Sequence, residues 1–234
     1  MRLVFLDTET TGLSPASGDR IIEIGCVELV DRRLTGRNLH LYLNPQRSSH
    51  PDALRIHGLT DDFLSDKPLF ETVVSQLLDF VDGAEVVIHN AGFDLSFLDH
   101  ELARLDRRKF ATHVDKITDS LTMARELFPG KANSLDALCK RLEVDNSNRS
   151  LHGALLDAGL LAEVYVRMTR GQKPLVVEVE DAPVVVEVVE ATDLSQFSLP
   201  VLLAQEQESV DHQAMIDLLQ KASKSGALWS QTVE

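Results

Sequence analysis

The sequence predicts an α/β fold: a mixed sheet of three antiparallel strands followed by strand–helix units, flanked by helices, with a linker and a short helical tail behind it. Three observations predict it. Over the first 43 residues, short apolar blocks and apolar–polar alternation recur at strand spacing. Between residues 69 and 168, apolar blocks alternate with stretches of helical spacing, of which Phe70, Val73, Val74, Leu77, Leu78 and Val81 are the clearest. Four acids, Asp7, Glu9, Asp94 and Asp157, fall near the ends of those elements.

Taken in order, Leu3-Val4-Phe5-Leu6 opens a strand that runs into Asp7-Thr8-Glu9-Thr10-Thr11-Gly12. Residues 14–19, with Pro15 and Gly18, read as a loop. Residues 21–29 form a second strand and 38–43 a third, an antiparallel meander. Residues 44–59 read as irregular, broken by Pro45, Pro51 and Gly58. Thr60-Asp61-Asp62 offers helix-cap chemistry. A helix over 69–81 ends at Gly83. Residues 85–90 are a short buried strand, and a helix starts from Asp94. A weak strand at 114–117 precedes helices over 121–128 and 134–142, separated by Pro129-Gly130. Residues 146–151 read as a loop, and a strongly apolar helix runs from His152 to about Met168. The texture changes after Gly171, where we place a domain boundary. Three regions follow from this: 1–171, an acidic linker at 172–198, and a tail at 199–234.

Composition narrows the class. Apolar residues make up 44% of 234, enough for a sizeable core. The longest apolar runs are far shorter than the roughly 18 residues that span a membrane. Cys26 and Cys139 are too few and too far apart for a zinc site or a disulfide framework, so buried thiols in a cytoplasmic protein are expected. The net charge of −14 argues against gripping nucleic acid by bulk electrostatics. Residues 172–234 hold 11 acids against Lys173, Lys221 and Lys224, so much of the excess lies in the linker and tail together.

The acids carry the chemistry. On a strand, Asp7 and Glu9 point to one face. Two carboxylates there repel unless a cation sits between them. An isolated Asp-x-Glu is more simply an acidic turn after a strand. Asp94 at a strand-to-helix corner and Asp157 in the first turns of a helix change that reading, because ligand sites in such sheets gather where strands end. Four carboxylates can hold two divalent ions about 3.5–4 Å apart, the arrangement used in phosphoryl transfer. His152, five residues before Asp157, can take a proton from an attacking water. His57, at the edge of the irregular stretch, reads otherwise as a plain loop histidine, and Asp94 as a helix cap. Thr8 and Thr10 face away from the acids, so packing is their default, and His89 at a strand end reads as structural.

The segments Phe5-Leu6-Asp7-Thr8-Glu9-Thr10-Thr11-Gly12, His89-Asn90-Ala91-Gly92-Phe93-Asp94 and His152-Gly153-Ala154-Leu155-Leu156-Asp157 resemble, in residues, order and spacing, the three motifs of the DEDDh family of 3′→5′ exonucleases. Within that family, residues 133–141 and 145–157 are similar to proofreading subunits of bacterial replicative polymerases. The resemblance covers residues 1–171, weakens after them and returns at 199–229. It implies a ribonuclease-H-like fold. It also implies that Asp7, Glu9 and Asp157 ligate two Mg²⁺ or Mn²⁺ ions with Asp94 completing the set, and that His152 is the general base. Asp7, Glu9 and Asp157 would thereby also meet the substrate. Asp52 and His57 match nucleotide-contacting positions, although Asp52 stands where Glu is also common.

The resemblance further implies partners: the 3′ end of single-stranded or mispaired DNA, the DNA polymerase III catalytic (alpha) subunit, a theta subunit where one exists, and the sliding clamp. The apolar stripe through Ile216, Leu218 and Leu219, with Trp229 beyond it, resembles a polymerase-binding tail and is too small to fold alone. Gln172, Leu175 and Val177 lie where the family has a clamp-binding peptide. Gln196-Phe197-Ser198-Leu199 is a rival. Two other readings stay open. An RNA-trimming enzyme of the same chemistry would need no such tail. A non-catalytic scaffold would have no reason to keep four clustered carboxylates.

Overall fold

A computed structural model describes residues 1–147, 151–170 and 204–222. The chain divides into two units, Met1–Val176 and Val177–Glu234. The first is built on a five-stranded sheet in the order β3-β2-β1-β4-β5. Its middle strand is β1 (Arg2–Thr10), whose Leu3, Val4, Phe5 and Leu6 are all buried. A strand apolar on both faces must be covered on both, as central strands of layered α/β domains are. β2 (Ile21–Val30) pairs antiparallel with β1, and β3 (Arg33–Tyr42) antiparallel with β2. Asp31 and Arg32, both at positive φ, form the two-residue turn between β2 and β3 that a right-handed strand twist favours. β4 (Glu85–Ile88) and β5 (Lys116–Asp119) run parallel to β1.

Alternation along β1 splits the core in two. Val4 and Leu6 pack with Ile24, Cys26, Val86 and Ile88 beneath α3 (Phe70–Val81) and α4 (Ala91–Ala103). Leu3 and Phe5 pack with Val27, Leu29 and Val87 beneath α6 (Leu135–Arg141) and α7 (Ala154–Met168). The same period of two therefore puts Thr8 on the α4 side and Asp7 and Glu9 on the α7 side.

Several elements differ from the sequence expectation. β3 begins at Arg33, five residues early, because the tight turn lets pairing start at once. Residues 44–59 contain a helix, α1 (Pro51–His57), with Pro51 in its first turn and Gly58 ending it at φ 72°. Thr60 caps α2 (Asp61–Leu64) by accepting from the Phe63 N–H at 3.2 Å. α4 starts at Ala91, before Asp94, because Asn90 takes the left-handed conformation and turns the chain directly off β4. Asp119 caps α5 (Ser120–Leu127) and Ser134 caps α6. Cys26 and Cys139 are buried and unbridged. No described helix is long and apolar enough to cross a membrane. The second unit contains α8 (Glu206–Ala222). Gln172, Leu175, Val177, the rival Gln196 segment and Trp229 lie outside the described residues.

Candidate active site

β1 delivers Asp7 and Glu9 at its C-terminal end, on the face covered by α7. The first turn of α7 brings Asp157 to the same face, buried to 3% exposure. Ligand atoms of Glu9, His152 and Asp157 lie within 4.8 Å of one another. His152 Nδ1 stands 3.4 Å from Asp157 Oδ2. Asp94 arrives from the opposite face, on the first turn of α4. All four acids and His152 line one cavity of about 260 Å³.

Asp94 is held there by a residue that the sequence reading assigned to packing. The Thr8 hydroxyl donates to Asp94 Oδ1 at 2.6 Å and the Thr8 N–H donates to the same oxygen at 3.1 Å. Thr8 does face away from its acidic neighbours, but that direction is where α4 presents Asp94. Burial pushes the Asp94 carboxyl up to about 7, with the Asp119 charge adding to the rise, against the pull of the bonds from Thr8.

Gly25 lets this assembly close, and Gly58 marks where a second segment meets it. Gly25 pairs with Asp7 across β1 and β2. A Cβ there would meet the Ala154 carbonyl carbon and the Leu155 nitrogen at 2.2 Å, so only glycine lets the start of α7 lie this close to the sheet. At Gly58, a Cβ would meet Leu151 Cδ1 at 2.5 Å. Leu151 thus sits against the end of α1, and next to it the His152 N–H donates to the Ile56 carbonyl at 3.0 Å. The loop bearing His152 is anchored to α1.

Beside the acids lies a larger cavity of about 690 Å³, sharing Thr8, Glu9 and Phe93 with the first and reaching Asp52 and His57. His57 is 4% exposed. Its Nδ1 accepts from the Leu59 N–H at 2.9 Å, which places the proton of the neutral ring on Nε2. That Nε2 has no partner among the described residues. A buried donor without a partner is costly, and a ligand in the cavity would satisfy it. Burial also holds the ring below the usual histidine range, so it stays neutral. Asp52 is exposed and paired with Arg55. Its side chain lines the rim of this cavity. His89 is held by Ser120, Nδ1 to Oγ at 2.9 Å, and forms part of the wall of the acid cavity.

The donor set is carboxylate oxygen with one imidazole, which suits hard divalent ions. A two-faced acidic cluster at the end of a central strand, beside a cavity of nucleotide size, defines a metal-dependent nuclease. The family model described as Exonuclease matches residues 4–165. The DNA polymerase III subunit epsilon of Salmonella typhimurium is 50% identical over 236 residues, covering 97% of each chain. That of Escherichia coli is 48% identical with the same coverage. The structure of exonuclease X in complex with 5′ overhanging duplex DNA is 27% identical, with a TM-score of 0.57, over 73% of this chain and 92% of that one. The chain belongs to the exonuclease family, in the branch whose curated members are named DNA polymerase III subunit epsilon.

Proposed function

We propose that this proofreading 3′→5′ exonuclease removes the terminal nucleotide with Asp7, Glu9 and Asp157 holding two divalent ions, Mg²⁺ or Mn²⁺, and Asp94 completing the acidic set. Bound there, the ions would stabilise the attacking and leaving oxygens of the phosphodiester. His152 takes a proton from the attacking water. The water oxygen bonds to phosphorus, the bond to the penultimate 3′-oxygen breaks, and a 5′-mononucleotide leaves. Thr8 keeps Asp94 in place. The neutral His57 donates from Nε2 to the sugar or phosphate of the terminal nucleotide, and Asp52 meets that nucleotide from the rim. Unpaired ends enter more readily, since an unstacked base costs less to separate.

The observation that carries this reading is the convergence of Glu9, His152 and Asp157 within 4.8 Å, on elements more than 140 residues apart in the chain. Asp7→Ala or Asp157→Ala should abolish hydrolysis of 3′-mispaired DNA while the melting temperature stays near that of the parent. His152→Ala should lower kcat by at least about a hundredfold, within the range typical of a lost general base. Full activity in Asp157→Ala would sink the metal assignment. A strong preference for RNA strands would move the reading to RNA trimming.

The partners follow from the same reading. Residues 1–171 carry the catalysis, 172–198 connect, and 199–234 dock. α8 exposes Val210, Met215, Leu218 and Leu219, an apolar surface suited to the polymerase alpha subunit. With a net charge of −14, the chain leaves most of the DNA affinity to that partner. Gln172, Leu175 and Val177 engage the sliding clamp, a theta subunit binds where one is present, and the assembly works in the cytoplasm.

A further inference from the structure

A third cavity, of about 440 Å³, adjoins the acid cavity and shares His89, Asn90 and Ser134 with it. It shares no lining residue with the nucleotide cavity, so the acids stand between the two. Its other walls include Arg125 and Lys131, and no carboxylate. Arg125 and Lys131 are thus the basic side chains of this wall, with the Asp119 carboxylate turned to the backbone of Asn90 and Leu121. Arg2, Arg20 and Arg167 are engaged by protein oxygens. Arg125 and Lys131 make no side-chain hydrogen bond or ion pair with another described residue.

Both cations have fixed mounts. Arg125 lies on α5, capped by Asp119, whose Oδ1 also accepts from the Asn90 N–H at 3.1 Å. One carboxylate therefore ties the wall of the acid cavity to the helix of the basic one. Lys131 follows Phe128 in a turn closed by Asn133, which donates to the Phe128 carbonyl at 3.3 Å. Arg141 braces that turn through Asn133 Oδ1 at 3.0 Å and the Ala132 carbonyl at 2.8 Å.

The reaction imposes a direction. With the terminal nucleoside beside His57, its 5′-phosphorus lies at the acids. The leaving oxygen belongs to the penultimate nucleotide, so the strand continues from the acids into space that the terminal nucleoside does not fill. We propose that this third cavity is the subsite for the substrate strand upstream of the cut, where Arg125 and Lys131 bind the phosphodiester of the penultimate nucleotide. The inference rests on the catalytic reading above.

The test compares two substrates with the full chain and Mn²⁺. One is a thymidylate oligonucleotide. The other is the p-nitrophenyl ester of thymidine 5′-monophosphate, which has the scissile phosphorus but no upstream nucleotide. In the Arg125→Gln/Lys131→Gln variant, the ratio of kcat/KM for the oligonucleotide to that for the ester should fall about tenfold, mainly through KM. The slope of log kcat/KM against log salt should flatten by about 0.7 for each lost cation, as single-strand phosphate contacts predict. An adenylate oligonucleotide should lose as much, because phosphate contacts carry no base information. An unchanged ratio would overturn the subsite, whether neither substrate loses rate or both lose it equally. A parent chain inactive on both substrates would instead overturn the catalytic reading beneath it.

Discussion

Thr8 sits between two acids on β1 and serves a third, 86 residues away. Its hydroxyl and its N–H both donate to one oxygen of Asp94, which fixes the orientation of that buried carboxylate. Thr8→Val keeps the shape and removes one donor. We expect kcat on DNA to fall about 10- to 100-fold, the usual effect of losing a support of a metal-site residue, with rescue by Thr8→Ser. Steady-state kinetics across the three chains checks it, and equal activity in the valine variant would leave Thr8 as packing. His57 makes a second case. His57→Ala should weaken binding of thymidine 5′-monophosphate by about tenfold in calorimetry, as expected for a lost hydrogen bond from a buried neutral donor. The direction in which Asp7 and Glu9 point was legible from alternation alone. The role of Thr8 was not, because its partner is brought to it by α4 and nothing local announces that.

Among the elements, β2 does more than pair. Its Gly25 is the floor on which α7 rests, and α7 carries Asp157. Gly25→Ala drives a methyl into backbone atoms that cannot swing aside. We expect about 3 kcal/mol of lost stability, at the upper end of overpacking costs, and a larger loss of activity than a surface substitution of equal destabilisation. Thermal melting beside kinetics separates the two. The outer end of β2 holds a different device. Glu28 is buried and accepts from Arg2 at 2.7 Å, Thr35 at 2.8 Å and Arg37 at 3.1 Å. Burial alone would raise its carboxyl, but those partners outweigh it and hold the carboxyl below the usual glutamate range. A lowered native value means that the stabilisation is complete above the unfolded value, about 4.3, and is lost as pH falls through the native one. Glu28→Gln should therefore cost about 1–3 kcal/mol at pH 7. The gap to the parent in urea unfolding should shrink towards pH 3. A gap independent of pH would remove the charge from the explanation. The helix at Pro51–His57 escaped the sequence reading because its seven residues show no apolar period, and only its glycine stop and first-turn proline mark it.

Over the whole chain, the first unit holds every residue of the acid and nucleotide cavities, and α8 with its exposed apolar side chains belongs to the second. A chain ended after residue 171 should keep its kcat on single-stranded DNA within about twofold and lose co-elution with the polymerase alpha subunit in size-exclusion chromatography. Retained co-elution would place the docking surface on the first unit instead. Composition, periodicity and three short motifs were sufficient to read the α/β class and the antiparallel meander and to single out four acids and His152 that line one cavity, because each depends on residue type and local spacing. Those quantities exist in the chain before it folds. Tertiary structure decided the rest: that α7 and α4 bring their acids to opposite faces of one strand, that Gly25 and Gly58 are notches for other segments, and that Arg125 and Lys131 share a cavity beside the acids. These are relations between residues far apart in sequence, and they come into being only when packing of the two cores sets where each helix lies on the sheet.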